Sequence, residues 1–312
     1  MQRLRFHAFI GLTVAAYLLF HSVAAIGASS DEAAWKADLE KWRVQRATNL
    51  QKPEGWLSLI GLDWLQEGDN SFGSGADNRI RISAKVPEHI GVVHLEKGAV
   101  RLQAPAGGFP KDLLVDGHAA QQQALVADDA DNPSKLTVGT ITIIVINRDG
   151  RFALRIKDPQ APTRLGFHGL KWYPPDAAYR VKAKWIPYNP PRVINIPTVL
   201  GTQTLMQVPG TVEFTIDRKT VRLEPVLEDP KATELFFILR DQTSKTTTYG
   251  AGRFLYTDFP DHGLDQPGEL WLDFNRLFNP PCSFTPYATC PLPPPQNRLS
   301  VAIPAGEKRY HD

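Results

Sequence analysis

Residues 136–158, "LTVGTITIIVINRDGRFALRIKD", decide the class of fold. The segment reads as two long strands folded back around Arg148-Asp149-Gly150, because Asp-Gly supplies the backbone freedom that a tight hairpin turn demands. Working outward, "NRIRIS" places Ile80 and Ile82 on one face and Arg79 and Arg81 on the other. "GVVHLEKGAVRL" reads as a second hairpin around Lys97-Gly98. Short strands at this spacing, without intervening helices, predict a small β-sandwich over residues 54–160.

Proline and glycine crowd "DPQAPTRLGFHGLKWYPPDAAYR", so residues 161–180 are expected to be a linker. Strands return over residues 181–312. Val212, Phe214 and Ile216 alternate with Glu213 and Thr215, and Val221 and Leu223 with Arg222 and Glu224. Joined through Asp217-Arg218-Lys219, they form a half-buried hairpin. "ELFFILRD" is apolar on both faces and belongs in a central position. The whole is expected to be all-β, a C-terminal antiparallel barrel or sandwich following the smaller sandwich. The 26 prolines and 23 glycines argue against a helical bundle.

The N-terminus is different. Arg3 and Arg5 precede an apolar run from Ala8 to Phe20, and small residues follow at Ser22-Val23-Ala24 and Ala28. This is the pattern of a cleaved export signal over residues 1–28, which predicts a periplasmic or extracellular protein with no stable membrane span after cleavage. The alternative is an uncleaved anchor, but the run is short and His21 interrupts it. A helix is expected over residues 29–53, opened by Ser29 and Glu32 in capping-box spacing. Trp35, Leu39 and Trp42 fall on one stripe of it, the spacing of docking residues rather than of a cofactor box. Loss of the signal removes two of 35 Lys+Arg and none of 33 Asp+Glu, leaving 33 against 33. A neutral chain without clustered cations has no field to hold nucleic acid.

The common catalytic motifs are missing. No G-x-S-x-G elbow, phosphate-binding G-x-x-x-x-G-K-[ST], H-E-x-x-H or strand-borne G-x-G-x-x-G occurs, and no cofactor is implied. In "YGAGRF", Gly250 and Gly252 mark a bend or a close backbone approach. Cys282 and Cys290 are the two cysteines, in a loop full of prolines. For an exported protein a disulfide is the simplest reading; free thiols and a metal site are the alternatives. The spacing lacks the Cys-x2–4-Cys knuckle of a zinc site, and His262 or His311 would have to be brought in by folding. His89, His94, His118 and His168 are scattered without ligand spacing. Glu213 and Glu224 face the same way and could pair for acid/base work, though charges facing Arg222 are the simpler account.

Strand parity supplies the main candidate site. Leu270, Leu272 and Phe274 form a core face, which leaves Trp271, Asp273 and Asn275 on the other side with Glu269. Were the neighbouring strand "YGAGRFLY", Arg253 would meet Asp273 and Asn275 beside Trp271 and Tyr249. Such a cluster would hold an anionic group against aromatic walls, or serve as a structural ion pair.

"TYGAGRFLY", "LDFNRLFNPPCSFTPYATCPLPPPQNRLSVAIPAGEK" and "IPTVLGTQTLMQVPGTVEFTID" closely resemble the domain of unknown function 1684 family, known from bacteria and archaea. The likeness extends through "GWLSLIGLDWLQEGDNSFGSGADNRI" to essentially the whole mature chain. It marks Asp273, Phe274, Asn275, Arg276, Asn279, Pro280, Pro281, Cys282, Cys290, Asn297, Ala305 and Gly306 as motif positions and implies no activity. "SFGSGADNRIRI" and the strands after it are similar in organisation to forkhead-associated domains, which implies the sandwich shape and not phosphopeptide binding. The favoured expectation is a binding protein for a small molecule or envelope component at Tyr249, Arg253, Trp271, Asp273 and Asn275. A hydrolase or lyase working through Arg253, Asp273 and Asn275 is the second, and a structural or interaction protein the third.

Overall fold

The structure, a computed structural model, describes the backbone of residues 11–311 and the side chains of residues 31–311. Arg3 and Arg5 of the expected export signal lie outside the described residues. Helix α1 (Gly11–Leu50) runs straight through the position where a capping box was expected at Ser29. The correction has a local cause: Ala24, Ala25, Ala28, Ala33 and Ala34 flank Ser29 and Ser30, and alanine is the strongest helix former. Glu32 and Lys36 form an i,i+4 pair at 2.6 Å on its exposed side. Among the described residues, no helix is long and apolar enough to cross a membrane. The chain divides into two units, Met1–Gln45 and Arg46–Asp312. The first is most of α1, and the second holds every strand among the described residues.

That second unit opens with β1 (Leu59–Trp64), β2 (Gly68–Gly73), β3 (Ile80–Arg81), β4 (Gly91–Glu96), β5 (Ala99–Gln103), β6 (Leu114–Val115), β7 (His118–Ala119) and β8 (Gln123–Ala124). β9 (Lys135–Val138), β10 (Ile141–Arg148) and β11 (Arg151–Lys157) follow. They make a six-stranded sheet, ordered β1-β11-β10-β9-β6-β7, and a five-stranded sheet, ordered β3-β2-β4-β5-β8. Asp149 and Gly150 have φ of 56° and 75°, and Lys97 and Gly98 have φ of 49° and 82°. Positive φ at both central residues matches the twist of the paired strands, so both hairpins close as their sequences require. Ile143, Val145, Leu154 and Ile156 from the first sheet share one core with Phe72, Val93, Val100 and Leu102 from the second. Ile80 and Ile82 join that core, as their alternation with Arg79 and Arg81 demands.

Beyond the short helix α2 (Pro162–Leu165) come β12 (Arg180–Pro197), β13 (Gln203–Ile216), β14 (Lys219–Leu223), β15 (Glu234–Leu239), β16 (Arg253–Asp258) and β17 (Gly268–Asp273). A four-stranded antiparallel sheet, β14-β13-β12-β17, faces the β15–β16 pair. Between barrel and sandwich the answer is sandwich-like: no sheet closes on itself among the described residues. β15 serves two cores. Leu235, Phe237 and Leu239 pack with Trp185, Phe214 and Leu272, while Phe236 and Ile238 pack with Ile196, Val208 and Phe254. That explains why "ELFFILRD" carries no polar face. Its pleat sends alternate apolar side chains into different clusters.

Candidate functional site

Arg253 and Asp273 do not meet. β17 pairs with β12, placing Arg180 opposite Asp273, whereas β16 pairs with β15. Arg253 is therefore separated from Asp273 and Asn275, which stay in contact with each other. Trp271 is half exposed, opposite Lys182, and the Arg180 guanidinium lies 4.9 Å from its ring centroid. Leu270, Leu272 and Phe274 do face the core. Strand parity fails one residue later, because the chain leaves β17 in a 3-10 turn, Phe274–Arg276. The turn carries Asn275 inward to full burial. There its Nδ2 donates to the Asp176 carbonyl at 2.9 Å and to Asp273 Oδ1 at 2.9 Å, and its Oδ1 accepts from the Asp176 amide at 2.9 Å. Glu213 and Glu224 also part company. Glu213 pairs with Arg222 at 2.7 Å, and Glu224 accepts from Tyr188, Arg192 and Gln296.

Arg253 is 1 % exposed, and its carboxylate partner is Asp241, itself 3 % exposed, at 2.7 Å. The guanidinium also donates to the carbonyls of Ile303 and Ala305. Asp241 in turn accepts from the amides of Thr243 and Ile303, at 2.9 and 3.1 Å. A charge so deeply engaged anchors the C-terminal segment and is not available to a ligand. Gly252 explains the approach to it. With φ at 116°, a Cβ there would lie 2.6 Å from the Leu239 carbonyl, the close contact that "YGAGRF" announces.

The motif positions turn out to be a framework for this segment. Asn297 is 1 % exposed and ties Glu224 to Ile238 through three hydrogen bonds to their backbone. Asn279 donates to Glu307 Oε1 at 2.8 Å and to the Lys308 carbonyl at 2.7 Å. Gly306 has φ of 78°, and a Cβ there would stand 2.5 Å from the Leu277 carbonyl and 2.9 Å from that of Phe274. No other residue fits both that conformation and that gap. Fully buried Glu307 accepts from Arg46 Nε at 2.6 Å, and Arg46 stacks 4.5 Å from the Phe278 ring centroid.

The expected Cys282–Cys290 disulfide is corrected: both are free thiols, 3.2 Å apart. The 3-10 turn Pro281–Ser283 aims the Cys282 amide at Cys290 Sγ, 3.1 Å away, so Cys290 sulfur sits in a hydrogen bond rather than a covalent one. The Tyr249 hydroxyl lies 3.1 Å from the Cys282 carbonyl and 3.6 Å from its Sγ. Of the five candidates, Tyr249 reaches the cysteine loop. Hydrogen bonding from Cys290 lowers the Cys282 thiol from its ordinary value, and the same hydrogen bond, with burial, raises that of Cys290.

What the anchored segment presents to solvent is cationic. Lys308 donates its amide to the Lys171 carbonyl at 2.8 Å, and Arg309 donates its own to the Thr247 carbonyl at 2.9 Å. Tyr173 donates its amide to the Gly306 carbonyl at 2.9 Å, completing a three-segment seam. Along the seam runs an open cleft of about 340 Å³, lined by Lys171, Thr246, Thr247, Lys308 and Arg309. Lys308 Nζ rests 4.7 Å from the Tyr173 ring centroid, and the Tyr173 hydroxyl meets Thr247 Oγ1 at 2.5 Å. Three cationic and two hydroxyl-bearing residues line the space, with no carboxylate among them. A second cleft, of about 470 Å³, is lined by Thr48, Gln51, Lys52, Arg164 and Leu165. Its Arg164 donates to the carbonyls of Gln51 and Pro159, at 2.8 and 2.7 Å, and Arg309 of the first cleft donates through Nε to that of Thr248 at 3.3 Å. Parity and motif reasoning passed over Lys308 and Arg309. The signal was their charge, set in "PAGEKRYH" immediately after the motif glycine.

No curated protein matches the chain. An uncharacterised protein of Haloarcula marismortui, known from a solution NMR structure, is 30% identical over 46% of this chain and 78% of its own, with a TM-score of 0.40. The likeness expected over essentially the whole mature chain is carried by its C-terminal part: residues 165–308 match the family model described as Protein of unknown function (DUF1684).

Proposed function

We propose that this is an exported protein whose C-terminal β region binds a small anionic ligand, a free metabolite or an envelope component bearing carboxylate or phosphate. The observation that carries the reading is the cleft lined by Lys171, Lys308, Arg309 and two threonines without an acidic residue. Guanidinium and ammonium groups give charge-assisted hydrogen bonds to such an anion, and the hydroxyls add orientation. Lys308 and Arg309 are half-buried and held through their backbones, so little conformational freedom is left to lose on binding. The reading moves the site from Arg253 and Asn275, which are buried and occupied, to the surface of the segment they anchor.

Titration calorimetry with inorganic phosphate and with succinate tests it. Replacing Lys308 and Arg309 together with alanine is expected to weaken binding by roughly 10- to 100-fold, the size of one or two charge-assisted hydrogen bonds. The melting temperature should fall only slightly, because both backbones remain in the seam and the losses are the Arg309 Nε bond to the Thr248 carbonyl and the Lys308 contact with the Tyr173 ring. Undetectable binding of both anions at millimolar concentration, or unchanged affinity in the double variant, would rule the reading out. Export rests on the Arg3, Arg5 and Ala8–Phe20 pattern. Residues 1–28 fused to a reporter active only outside the cytoplasm should give activity, lost when Arg3 and Arg5 become Glu. A silent wild-type fusion would count against export.

A further inference from the structure

The Pro281–Ser283 turn brings two thiols together that differ in exposure. Cys290 is 4 % exposed and packs in the cluster of Ile196, Phe236 and Phe254. Cys282 is half-buried. Their closest approach is 3.2 Å, with the Cys282 amide donating to Cys290 Sγ and the Tyr249 hydroxyl 3.6 Å from Cys282 Sγ.

An outer thiol and an inner thiol within contact distance are the parts of a two-step exchange reaction. We propose that Cys282 and Cys290 form a thiol–disulfide exchange site acting on small-molecule disulfides, with Cys282 as the attacking and Cys290 as the resolving sulfur.

In the first step the Cys282 thiolate attacks one sulfur of R–S–S–R. A Cys282–S–S–R bond forms, the R–S–S–R bond breaks, and RS⁻ leaves to take a proton from water. Cys290 then loses its proton to water and attacks the Cys282 sulfur as a thiolate. The Cys282–Cys290 bond forms and the second RS⁻ departs. Two electrons pass from the cysteine pair to the small disulfide, which is reduced to two thiols. The Tyr249 hydroxyl is a positioning group, placed to hydrogen-bond Cys282 sulfur as a thiolate. This site is independent of the anion-binding cleft.

The test starts from the reduced full-length protein and 5,5′-dithiobis(2-nitrobenzoate) as the small disulfide. Wild type is expected to release two equivalents of thionitrobenzoate per chain and finish without adduct, about 2 Da lighter than the reduced form. Cys290→Ser should release one equivalent and keep a stable adduct, mapped to Cys282. Cys282→Ser should react at least tenfold more slowly than wild type. Wild type that ends with two adducts, or Cys282→Ser reacting as fast as wild type, would overturn the proposal. Should Cys290→Ser fail to fold, the wild-type stoichiometry and final mass decide the matter without it.

Discussion

Replacing Arg253 with methionine is expected to cost about 3–5 kcal/mol of stability, the range seen when one partner of a buried ion pair is removed. Methionine fills much the same space, so the loss is electrostatic rather than a cavity effect. The variant leaves the Asp241 carboxylate buried with its amide donors and without its cation. It also strips the carbonyls of Ile303 and Ala305 of a donor. A lowered urea midpoint with an unchanged slope would report it, together with a melting temperature lower by roughly 6–15 °C. Removing both charges, as Arg253→Met with Asp241→Leu, should cost less than the two single losses added together, because no lone buried charge survives. A single-variant loss below about 1 kcal/mol would mean that water reaches this pair.

Glu307→Ala is expected to cost about 3 kcal/mol, because it strands Arg46 and the amide groups of Asn279. Here pH gives a second, sharper reading. Burial raises the Glu307 carboxyl above its ordinary value, against the opposing pull of Arg46 and Asn279. The folded protein then holds this proton more tightly than the unfolded chain does. From the ordinary glutamate value, about 4.3, up to the raised folded one, the native state binds more protons, and stability falls as pH rises. Above the folded value the full cost is in place; below the unfolded one it is absent. Glu307→Gln has no such proton. Urea midpoints at unit steps from roughly pH 4 to pH 8 should therefore show wild type losing ground to Glu307→Gln as pH rises. A difference that stays flat would show that Arg46 offsets desolvation, and one that runs the other way that Arg46 outweighs it.

The two networks share a segment. Arg253 holds the carbonyls of Ile303 and Ala305, Asn279 holds Glu307 and Lys308, and Gly306 fits the gap between. The buried chemistry of the motif thus fixes the backbone from which Lys308 and Arg309 face the cleft. Parity reasoning was sound within β17, where Leu270 and Leu272 face the core, and misplaced Asn275 because parity has no meaning past the end of a strand. Pairing Arg253 with Asp273 required β16 to lie beside β17. Nothing in either strand specifies its neighbour, and β12, from far earlier in the chain, takes the place.

By itself the sequence determined what depends on neighbouring residues. Alternation named the buried faces of β3, β13, β14 and β17, and Asp149-Gly150 and Lys97-Gly98 closed their hairpins because their backbones accept positive φ. Two apolar faces on "ELFFILRD" put β15 between two cores. The tertiary structure alone decided which strands adjoin, that Arg253 belongs to Asp241, that the two cysteines stand as free thiols, and that Lys171, Thr247 and Lys308 share a cleft. The reason is physical: each of these is a contact between segments remote in sequence. Such contacts are selected by the packing of the whole core and by the need to satisfy every buried charge, which no local pattern encodes.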